Sequence, residues 1–267
     1  MFEEFKGKVL FVTGAASGMG RAVAVRFGSL GCKVAVAARR PDAGEETVRL
    51  VKEAGGEAIF VSCDVSSDES VKAAIDTTVA TFGSLDYAFN NAGCGADGVH
   101  IPFVPLTEVT EGDWDKVIDT NLKGVFHCLK YELLQMQKQG GGAIVNTGSL
   151  GGIKFVPTMG AYAASKSGLI GLSKTAAIEV GPENIRVNVI CPGATTGTKL
   201  LDNMIATTPG HAERVAAGIP LRRLGTAKEV ALNVFFLCSD MAAYITGQAI
   251  CLDGGNSAGA AKRGGVG

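Results

Sequence analysis

The sequence predicts an α/β fold in which a doubly wound parallel sheet of about seven strands carries helices on both faces. Short β-branched runs alternate along the chain with longer segments of helical period. A glycine-rich turn separates the first of these runs from the first helical segment. Parallel strands are joined by right-handed crossovers, which place helices over both faces of the sheet. The predicted architecture is therefore Rossmann-like.

Seven runs have the length and composition of buried strands. They cover residues 9–13, 33–38, 58–62, 85–90, 143–147, 186–191 and 248–252. Three helix starts place a hydroxyl three residues before a carboxylate, a pattern that satisfies free amides at a helix N-terminus. These starts are Ser66 with Glu69, Thr110 with Asp113, and Thr226 with Glu229. Two segments without clean periodicity, 94–106 and 193–223, follow predicted strands, so we expect them to form pocket walls.

Length and charge limit the classes of function. A chain of 267 residues with 46% hydrophobic content fits one domain, expected at residues 1–255 and followed by a flexible, glycine-rich tail at 256–267. The 25 basic and 26 acidic residues give a formal net charge of -1 without large blocks of one sign. This balance indicates neither a nucleic-acid surface nor a membrane surface. The expected partner is a small molecule.

The cysteines and the N-terminus bear on the compartment. The seven cysteines are scattered, odd in number and without a CxxC pair, so they are typical of core residues in a reducing environment, and no metal site is predicted. The first residues carry acids and lead directly into the first predicted strand, unlike a signal peptide. No apolar run approaches membrane-spanning length. We expect a cytoplasmic protein.

The turn after the first strand has the composition of a phosphate-binding turn. Gly14, Gly18 and Gly20 lack the Cβ atoms that would prevent a tight turn and the close approach of a pyrophosphate. The helix that follows presents free amides to the anion, and the predicted site includes Ser17 and Met19. An ordinary βα turn is the alternative, but the strand before it and the helix after it favour a dinucleotide.

Polar residues follow two further predicted strands, at the end of the sheet where an adenine ring and its ribose would lie. Asp64 closes the third strand and is followed by Val65. Asn91, Ala92 and Gly93 close the fourth strand. The alternatives are a helix-capping aspartate and a turn-forming Asn-Ala-Gly segment.

The end of the second strand discriminates between the two nicotinamide cofactors. An acidic residue there would bind the ribose hydroxyls of NAD(H), whereas a basic residue would pair with the 2′-phosphate of NADP(H). The chain has Arg39 and Arg40 at this point and no acid. A guanidinium binds phosphate through charge-assisted hydrogen bonds, so Arg39 favours NADP(H) over NAD(H). The alternative is that both arginines are solvated charges, and Ser17 leaves the glycine turn without a second cation.

Tyr162 and Lys166 lie four residues apart, and Tyr162 is thirteen residues after Ser149. Positions i and i+4 of a helix share one face, so the phenol and the ammonium would share a site. Lowering a phenol pKa from about 10 to about 7 requires roughly 4 kcal/mol of preference for the anion. A cation about 4 Å away supplies this at an effective dielectric of about 20, so the site must be partly shielded from water. The alternative is a helix-surface pair.

Taken together, the motifs resemble those of the short-chain dehydrogenase/reductase family, in its compact single-domain branch. The resemblance covers almost the whole chain, and its specificity lies in the motifs occurring jointly and in order. They are Thr13-Gly-x-x-x-Gly-x-Gly20, Asp64, Asn90-Asn-Ala-Gly93, Asn121, Ser149, Tyr162-x-x-x-Lys166, Pro192-Gly193 and Asp253-Gly-Gly255.

The resemblance implies a catalytic set of Asn121, Ser149, Tyr162 and Lys166. Tyr162 would give a proton to the substrate oxygen in reduction, or take it in oxidation, and Ser149 would orient that oxygen. Lys166 would bind the nicotinamide ribose beside Tyr162 and lower the pKa of the phenol. Asn121 would hold a water that relays protons. The alternatives are a turn residue for Ser149 and a polar interruption of a helix for Asn121.

The segment after Pro192 and Gly193 departs from the family pattern. Members often have a threonine at the sixth position from that proline, where it binds the nicotinamide carboxamide, but this chain has Gly197. A one-residue bulge could bring a neighbouring hydroxyl into place. The neighbouring hydroxyls are those of Thr195, Thr196 and Thr198.

Substrate contacts are predicted for Ser149, Gly151, Phe155 and Tyr162. The other candidate walls are mostly apolar and uncharged, which suggests a neutral, somewhat hydrophobic ketone or secondary alcohol. They are Leu150, Ile153, Val156, Met159 and the segments 94–99 and 200–204, with Lys154 and His100 as solvated or specificity residues.

The leading hypothesis is an NADP(H)-dependent carbonyl reductase or alcohol dehydrogenase. An NAD(H)-dependent dehydrogenase of a sugar or hydroxysteroid alcohol would use the same catalytic set. Enoyl reductases of the family space Tyr and Lys more widely, which disfavours that reaction. A Rossmann protein that senses dinucleotide without turnover is a further class, and the complete catalytic set disfavours it. The family also implies a homotetramer, with helices 114–136 and 161–180 pairing across one interface.

Overall fold

The structure is a computed structural model that describes residues 3–95 and 103–259, without the side chains of residues 199 and 200. Its main sheet has seven parallel strands, and two short strands form a second sheet. In chain order the strands are β1 (Val9–Thr13), β2 (Lys33–Ala38), β3 (Glu57–Ser62), β4 (Tyr87–Asn90), β5 (Gly142–Thr147), β6 (Ile185–Pro192), β7 (Thr195–Thr196), β8 (Gly225–Thr226) and β9 (Ala249–Leu252). All seven predicted strands are confirmed, and the β7–β8 pair was not predicted.

Nine α-helices lie in the described part of the chain. They are α1 (Gly18–Gly28), α2 (Pro41–Glu53), α3 (Asp68–Phe82), α4 (Glu111–Ile118), α5 (Gly124–Gln139), α6 (Gly160–Val180), α7 (Lys199–Thr207), α8 (His211–Gly218) and α9 (Ala227–Cys238). A π-helical turn, Asp119–Lys123, separates α4 from α5. Within the two described ranges, no helix combines the length and apolar character needed to cross a membrane.

The predicted helix starts are confirmed at two of three positions. Thr110 accepts a hydrogen bond from the Asp113 amide at 3.1 Å, and Thr226 forms a full capping box with Glu229. The prediction for Ser66 was wrong, because α3 begins one residue later than the motif suggests. Its cap is Ser67, whereas the Ser66 hydroxyl donates to Asp64 at 2.7 Å.

Helices cover both faces of the sheet, as predicted. Side chains alternate along each strand, so Phe11 packs into one core while Leu10 and Val12 pack into the other. The core around Phe11 is closed by α3, α5 and α6. The core around Leu10 and Val12 is closed by α1, α2 and α9. These three strand residues are fully buried.

The sheet order locates the site. The strands lie in the order β3-β2-β1-β4-β5-β6-β9, so the chain moves outward from β1 to β3 and then returns to add β4 on the other side of β1. Connections leave β1 and β4 in opposite directions, which opens a crevice at their carboxyl ends. Val12 of β1 pairs with Phe89 of β4 just before these ends. Thr13 and Asn90 therefore stand at the rim of the crevice.

Candidate active site

The glycine turn lies against the segment that follows β4. Gly14 and Gly18 have φ angles of +64° and +60°, which side chains disfavour. A Cβ atom on Gly14 would lie 2.9 Å from the Ala92 Cα, and one on Gly20 would lie 2.5 Å from the Gly14 carbonyl oxygen. The turn therefore needs glycine at these positions, and it leads into the N-terminus of α1, where free amides can bind an anion.

Asn91 holds this arrangement together. Its Nδ2 donates to the carbonyl oxygens of Thr13 and Gly14, each at 3.3 Å. The Thr13 hydroxyl in turn accepts from the amides of Asn91 at 3.0 Å and Ala92 at 3.1 Å. The side chain of Asn91 thus stabilises the glycine turn through hydrogen bonds. Its contact with a cofactor remains a prediction.

Arg39 directly follows β2, and Asp64 lies two residues after β3. Burial would raise the pKa of Asp64, but hydrogen bonds from Ser66 and the positive charge of Arg39 together lower it. The guanidinium of Arg39 therefore acts on the region beyond β3. Val65 is buried against Gly124, and its carbonyl oxygen lies 2.9 Å from His127 Nδ1.

Tyr162, Lys166 and Ser149 come together at the end of β5. The Lys166 Nζ lies 5.9 Å from the centre of the Tyr162 ring and donates to the Thr147 carbonyl oxygen at 2.7 Å. A Cβ on Gly151 would lie 3.3 Å from Tyr162 Cε1 and 3.4 Å from Ser149 Oγ. Ser149 Oγ also accepts from the Gly151 amide at 3.0 Å, which fixes the hydroxyl beside the phenol.

Burial has opposite effects on the pKa values of the two titratable groups. It raises the pKa of Tyr162, although the hydrogen bond with Ser149 lowers it in part. It lowers the pKa of Lys166 to about 8. The net shift of Tyr162 is upward, opposite to the direction expected from the Lys166 charge alone. Both shifts favour the uncharged form of the group, as desolvation does.

Asn121 occupies the π-helical turn and is fully buried. Its side chain forms two hydrogen bonds with the main chain of Cys94. Oδ1 accepts from the Cys94 amide at 2.8 Å, and Nδ2 donates to the Cys94 carbonyl oxygen at 2.7 Å. A Cβ on Gly93 would lie 3.1 Å from Asn121 Oδ1 and 3.8 Å from Lys166 Nζ. The widened turn thus brings Asn121 beside Gly93 and Lys166, and π-helical turns are frequent at functional sites.

The segment after Pro192 crosses over the glycine turn. A Cβ on Gly193 would lie 3.0 Å from the Asp253 Cα, so these two chain segments pack closely. The Gly197 carbonyl oxygen lies 3.0 Å from the position of a Cβ on Gly18, which brings this segment above the start of α1. The three nearby hydroxyls all have partners in their own segment or in β8. Thr195 donates to Gly193, Thr196 to Gly225 and Thr198 to Thr195.

The predicted substrate residues lie around the turn that follows Ser149. Gly151 lies against Tyr162 and Ser149, whereas Phe155 is 67% exposed. Lys154, predicted as solvated or a specificity residue, is exposed but binds Asn256, with Nζ 3.0 Å from the carbonyl oxygen and 2.8 Å from Oδ1. Residues 96–99, His100 and residues 260–267 lie outside the described part of the chain.

A cavity of about 490 Å³ lies nearby, but Tyr162 and Lys166 are not among its lining residues. It is bounded by Thr195, Ile219, Glu229, Cys251 and Asp253, and neither Tyr162 nor Ser149 lines it. The convergence of Ser149, Tyr162 and Lys166 therefore locates the candidate site better than this cavity does. In the described ranges, no cluster of three or more His, Cys, Asp or Glu side chains could bind a metal.

Comparison with known proteins gives the family. A family model described as "Enoyl-(Acyl carrier protein) reductase" matches residues 14–257. An uncharacterized oxidoreductase of Thermotoga maritima is 40% identical over 95% of this chain and 99% of its own length. The chain belongs to the short-chain dehydrogenase/reductase family.

Solved structures of short-chain dehydrogenases/reductases share the fold. Levodione reductase is 35% identical with a TM-score of 0.89, and the match covers 95% of this chain and 98% of that one. NAD+-bound xylitol dehydrogenase is 35% identical with a TM-score of 0.87, and the match covers 94% of this chain and 100% of that one. The chain is therefore an oxidoreductase of this family with a Rossmann-like sheet.

Three residues to which the sequence assigned no supporting role hold the candidate site of this short-chain dehydrogenase/reductase. The Thr147 carbonyl binds Lys166, the Thr13 hydroxyl binds the turn after β4, and the Cys94 main chain binds Asn121. Two of these contacts use main-chain atoms, which carry no residue-type signal. Only Thr13, a hydroxyl at the end of β1, contributes a side chain, and the sequence named it only as the first residue of the glycine motif.

Proposed function

We propose that the protein is an NADP(H)-dependent oxidoreductase that interconverts a ketone and a secondary alcohol, with Tyr162 as the general acid and base. The observation that carries the proposal is the convergence of Ser149, Tyr162 and Lys166 at the end of β5. A hydroxyl, a phenol and an ammonium in one shielded place can bind a carbonyl oxygen and exchange a proton with it.

The residues of the crevice fit a dinucleotide. The tight turn that Gly14, Gly18 and Gly20 permit, with the α1 N-terminus behind it, supports pyrophosphate binding. When bound, the nicotinamide would supply or accept the hydride. Ser149 would orient the substrate oxygen, and Tyr162 would hold the proton at its Oη. Lys166 would bind the ribose and favour the phenolate, and Asn121 would hold a water on the relay of protons to solvent.

The proposed cofactor is NADP(H), because Arg39 directly follows β2, where a basic residue would pair with a 2′-phosphate, and no acid stands beside it in the sequence. The further cofactor contacts proposed are Ser17, Met19, Val65, Ala92, Gly93, Pro192, Gly193, Thr195 and Thr198. The NAD+ bound to xylitol dehydrogenase favours NAD(H) as the second candidate.

The second candidate function is oxidation of a sugar or hydroxysteroid alcohol with NAD(H), and the similarity to xylitol dehydrogenase favours it. The similarity to levodione reductase favours ketone reduction. Enoyl reduction is named in the description of the matching family model. The four-residue spacing of Tyr162 and Lys166 on one face of α6 favours carbonyl chemistry instead.

A panel of ketones and secondary alcohols, assayed with NADPH, NADH and their oxidised forms, tests the proposal. We expect turnover of apolar ketones with NADPH and a loss of at least 100-fold in kcat for Tyr162→Phe, which keeps the ring but removes the proton, an effect typical of general acid–base groups at about 10²- to 10⁴-fold. Tight cofactor binding without turnover of any substrate would instead support a dinucleotide sensor. Near-wild-type turnover of Tyr162→Phe would reject the proposed role.

We further propose a single-domain, cytoplasmic homotetramer that acts on a small molecule. Large apolar side chains on two long helices support an interface between copies. Phe126 and Leu134 on α5 are 47% and 48% exposed, and Ile178 on α6 is 79% exposed. Exposed apolar groups in this number on adjoining helices are typical of surfaces that bind a partner.

A further inference from the structure

A buried carboxyl lies behind the candidate active site. Glu132 is on α5 and is fully buried. Its Oε2 accepts a hydrogen bond of 2.8 Å from Nδ2 of Asn90, the last residue of β4. Glutamate is among the residues that are almost never fully buried unless they are paired. Glu132 has no part in the proposed reaction, so its burial calls for another explanation.

The hydrogen bond to Glu132 belongs to a buried chain of hydrogen bonds. Nδ2 of Asn90 also donates to Oδ1 of Asn146 on β5 at 2.9 Å. Asn146 Nδ2 donates to Ser173 Oγ on α6 at 2.8 Å, and Ser173 Oγ donates to the Leu169 carbonyl oxygen at 2.7 Å. The chain thus joins one helix to two strands and then to the helix that carries the catalytic pair.

Three members of this chain of hydrogen bonds are close in sequence to residues of the candidate active site. Asn90 precedes Asn91, which supports the glycine turn. Asn146 precedes Thr147, whose carbonyl oxygen binds Lys166. Ser173 lies seven residues after Lys166, about two turns along α6. A break in these hydrogen bonds would therefore be expected to shift both the glycine turn and the Thr147 carbonyl that binds Lys166.

The count of donors and acceptors favours a protonated carboxyl. Asn90 Nδ2 gives its two protons to Glu132 and Asn146, and its Oδ1 is a buried acceptor with no partner among the described residues. Oε1 of Glu132 is likewise buried and has no hydrogen-bond partner among the described residues. A carboxylate would add a further acceptor, whereas a carboxylic acid supplies a donor.

The electrostatic surroundings agree with this count. Burial raises the pKa of Glu132 to about 8, although the hydrogen bond from Asn90 lowers it in part. The titratable groups that interact with the carboxyl are the thiols of Cys63, just beyond β3, and Cys128 on α5. Burial raises the pKa of both thiols, and a charged Glu132 raises them further. These neighbours therefore offer no positive charge to a carboxylate.

We propose that Glu132 is a positioning residue: as a neutral carboxylic acid it anchors the hydrogen-bonded chain through Asn90 and Asn146 to Ser173 and so fixes the strand ends that carry the cofactor turn and the Lys166 contact. The kinetic consequences of this role rest on the proposed function, whereas its effects on stability and cofactor binding do not.

Three variants test this role: Glu132→Gln, Glu132→Val and, as a matched control, Glu179→Gln at an exposed position of α6. The melting temperature is measured from pH 6 to 9.5. The folded-state pKa is raised, so the carboxyl stabilises the fold least above about pH 8, and the wild-type melting temperature should fall as the pH rises towards that value. This part of the fall should be missing in Glu132→Gln and present in Glu179→Gln.

Fluorescence titration with NADPH and NADH gives the second measurement. At pH 7 we expect Glu132→Gln to bind the preferred dinucleotide within about threefold of wild type and Glu132→Val to bind it about tenfold more weakly, since a tenfold change corresponds to 1.4 kcal/mol. If Glu132→Val does not fold, Glu132→Asp, which withdraws the carboxyl by one methylene, replaces it. Between pH 7 and 9, the kcat/KM of Glu132→Gln relative to wild type should rise.

Two results would overturn the role: a melting profile of Glu132→Gln that follows wild type across the pH range, or wild-type dinucleotide affinity in Glu132→Val or its substitute. Absence of turnover in the wild-type protein would reject the proposed function alone, because melting and dinucleotide binding need no substrate.

Discussion

Lys166 is 4% exposed, and its ammonium donates to the Thr147 carbonyl oxygen at 2.7 Å. Burial disfavours the charge and lowers the pKa of Lys166 to about 8, while burial raises the pKa of Tyr162. The two side chains are thus held in an environment that resists the phenolate. On the proposed function, a bound oxidised nicotinamide would supply the positive charge that offsets this resistance.

Lys166→Met should make the protein more stable and less active. A shift of the Lys166 pKa from 10.5 to about 8 corresponds to about 3 kcal/mol of unfavourable charge burial. Loss of the hydrogen bond to Thr147 would remove about 1 kcal/mol of this gain. We therefore expect a gain of about 2 kcal/mol in the free energy of unfolding at pH 7, measured by urea denaturation.

The pH dependence of that gain gives the check. Below about pH 8 the folded and unfolded chains both carry a charged Lys166, so its full cost is present. Between about pH 8 and 10.5 the folded protein has lost this proton and the unfolded chain has not, so wild-type stability rises relative to the variant. Lys174→Met, at an exposed position of α6, is the control. A constant difference across this window would contradict the burial argument.

Arg39→Ala should weaken NADPH binding while leaving NADH binding almost unchanged. A lost charge-assisted hydrogen bond to the 2′-phosphate is worth about 1.5–3 kcal/mol, which raises the KM for NADPH by about 10- to 100-fold. The measurement is the ratio of kcat/KM for the two cofactors. Arg40→Ala, the neighbouring exposed arginine, serves as the control and should leave the ratio within about threefold, as expected for a surface charge.

At the scale of elements, regular periodicity made the main sheet predictable and irregular backbone escaped prediction. All seven strands of the main sheet were anticipated because each is a short, mostly apolar run between segments of helical period. The π-helical turn was not, because Asn121 weakens a helix only slightly and nothing local indicates a widened turn. The segment 193–223, expected only as a pocket wall, contains α7 and α8.

In the candidate site, the functional side chains were predictable from the sequence, but the main-chain groups that support them were not. Ser149, Tyr162, Lys166 and Asn121 were selected from the sequence, and the structure brings them together around Gly93 and Gly151. Their supports could not be selected, because a carbonyl oxygen has no residue type. Glu132 was missed for another reason: its burial depends on how α5 packs onto the sheet, which a charge within a helical segment does not reveal.

Thr226→Ala should remove the cap of α9. The Thr226 hydroxyl accepts from the Glu229 amide at 3.2 Å, and the Glu229 carboxylate accepts from the Thr226 amide at 2.9 Å. Loss of such a cap costs about 1 kcal/mol. Calorimetry should show a lower melting temperature. Thr77→Ala, within α3, is the matched control and should be neutral or stabilising, because alanine is the better helix former.

Gly18→Ala should reduce both stability and cofactor affinity. Gly18 has a φ of +60°, and its added Cβ would lie 3.0 Å from the Gly197 carbonyl oxygen. Gly55→Ala is the control, because Gly55 has a φ of +99° and open space around it. Both changes should cost about 1 kcal/mol of stability through backbone strain. Only Gly18→Ala should weaken dinucleotide binding measured by fluorescence, and equal affinities in the two variants would argue against the phosphate-binding turn.

At the scale of the whole molecule, large apolar side chains stand out on the surface of α5 and α6. Phe126 and Ile178 are 47% and 79% exposed. A charge placed at the centre of an apolar interface between copies is strongly unfavourable. Ile178→Glu should therefore convert the proposed tetramer into smaller species in light scattering coupled to size-exclusion chromatography. Ala73→Glu on α3 is the control, and an unchanged mass for Ile178→Glu would place the interface elsewhere.

The small β7–β8 sheet has a consequence for how this chain could vary. Thr195 pairs with Gly225 and Thr196 with Thr226, so the chain leaves the body of the protein and returns to it at neighbouring points. The segment between them, which includes α7 and α8, therefore begins and ends at one place in the fold. We expect changes in the length of α7 or α8 to leave the seven-stranded sheet unaltered, because neither helix belongs to it. On the proposed function, changes confined to this one segment would alter the substrate range while Ser149, Tyr162 and Lys166 stay in place.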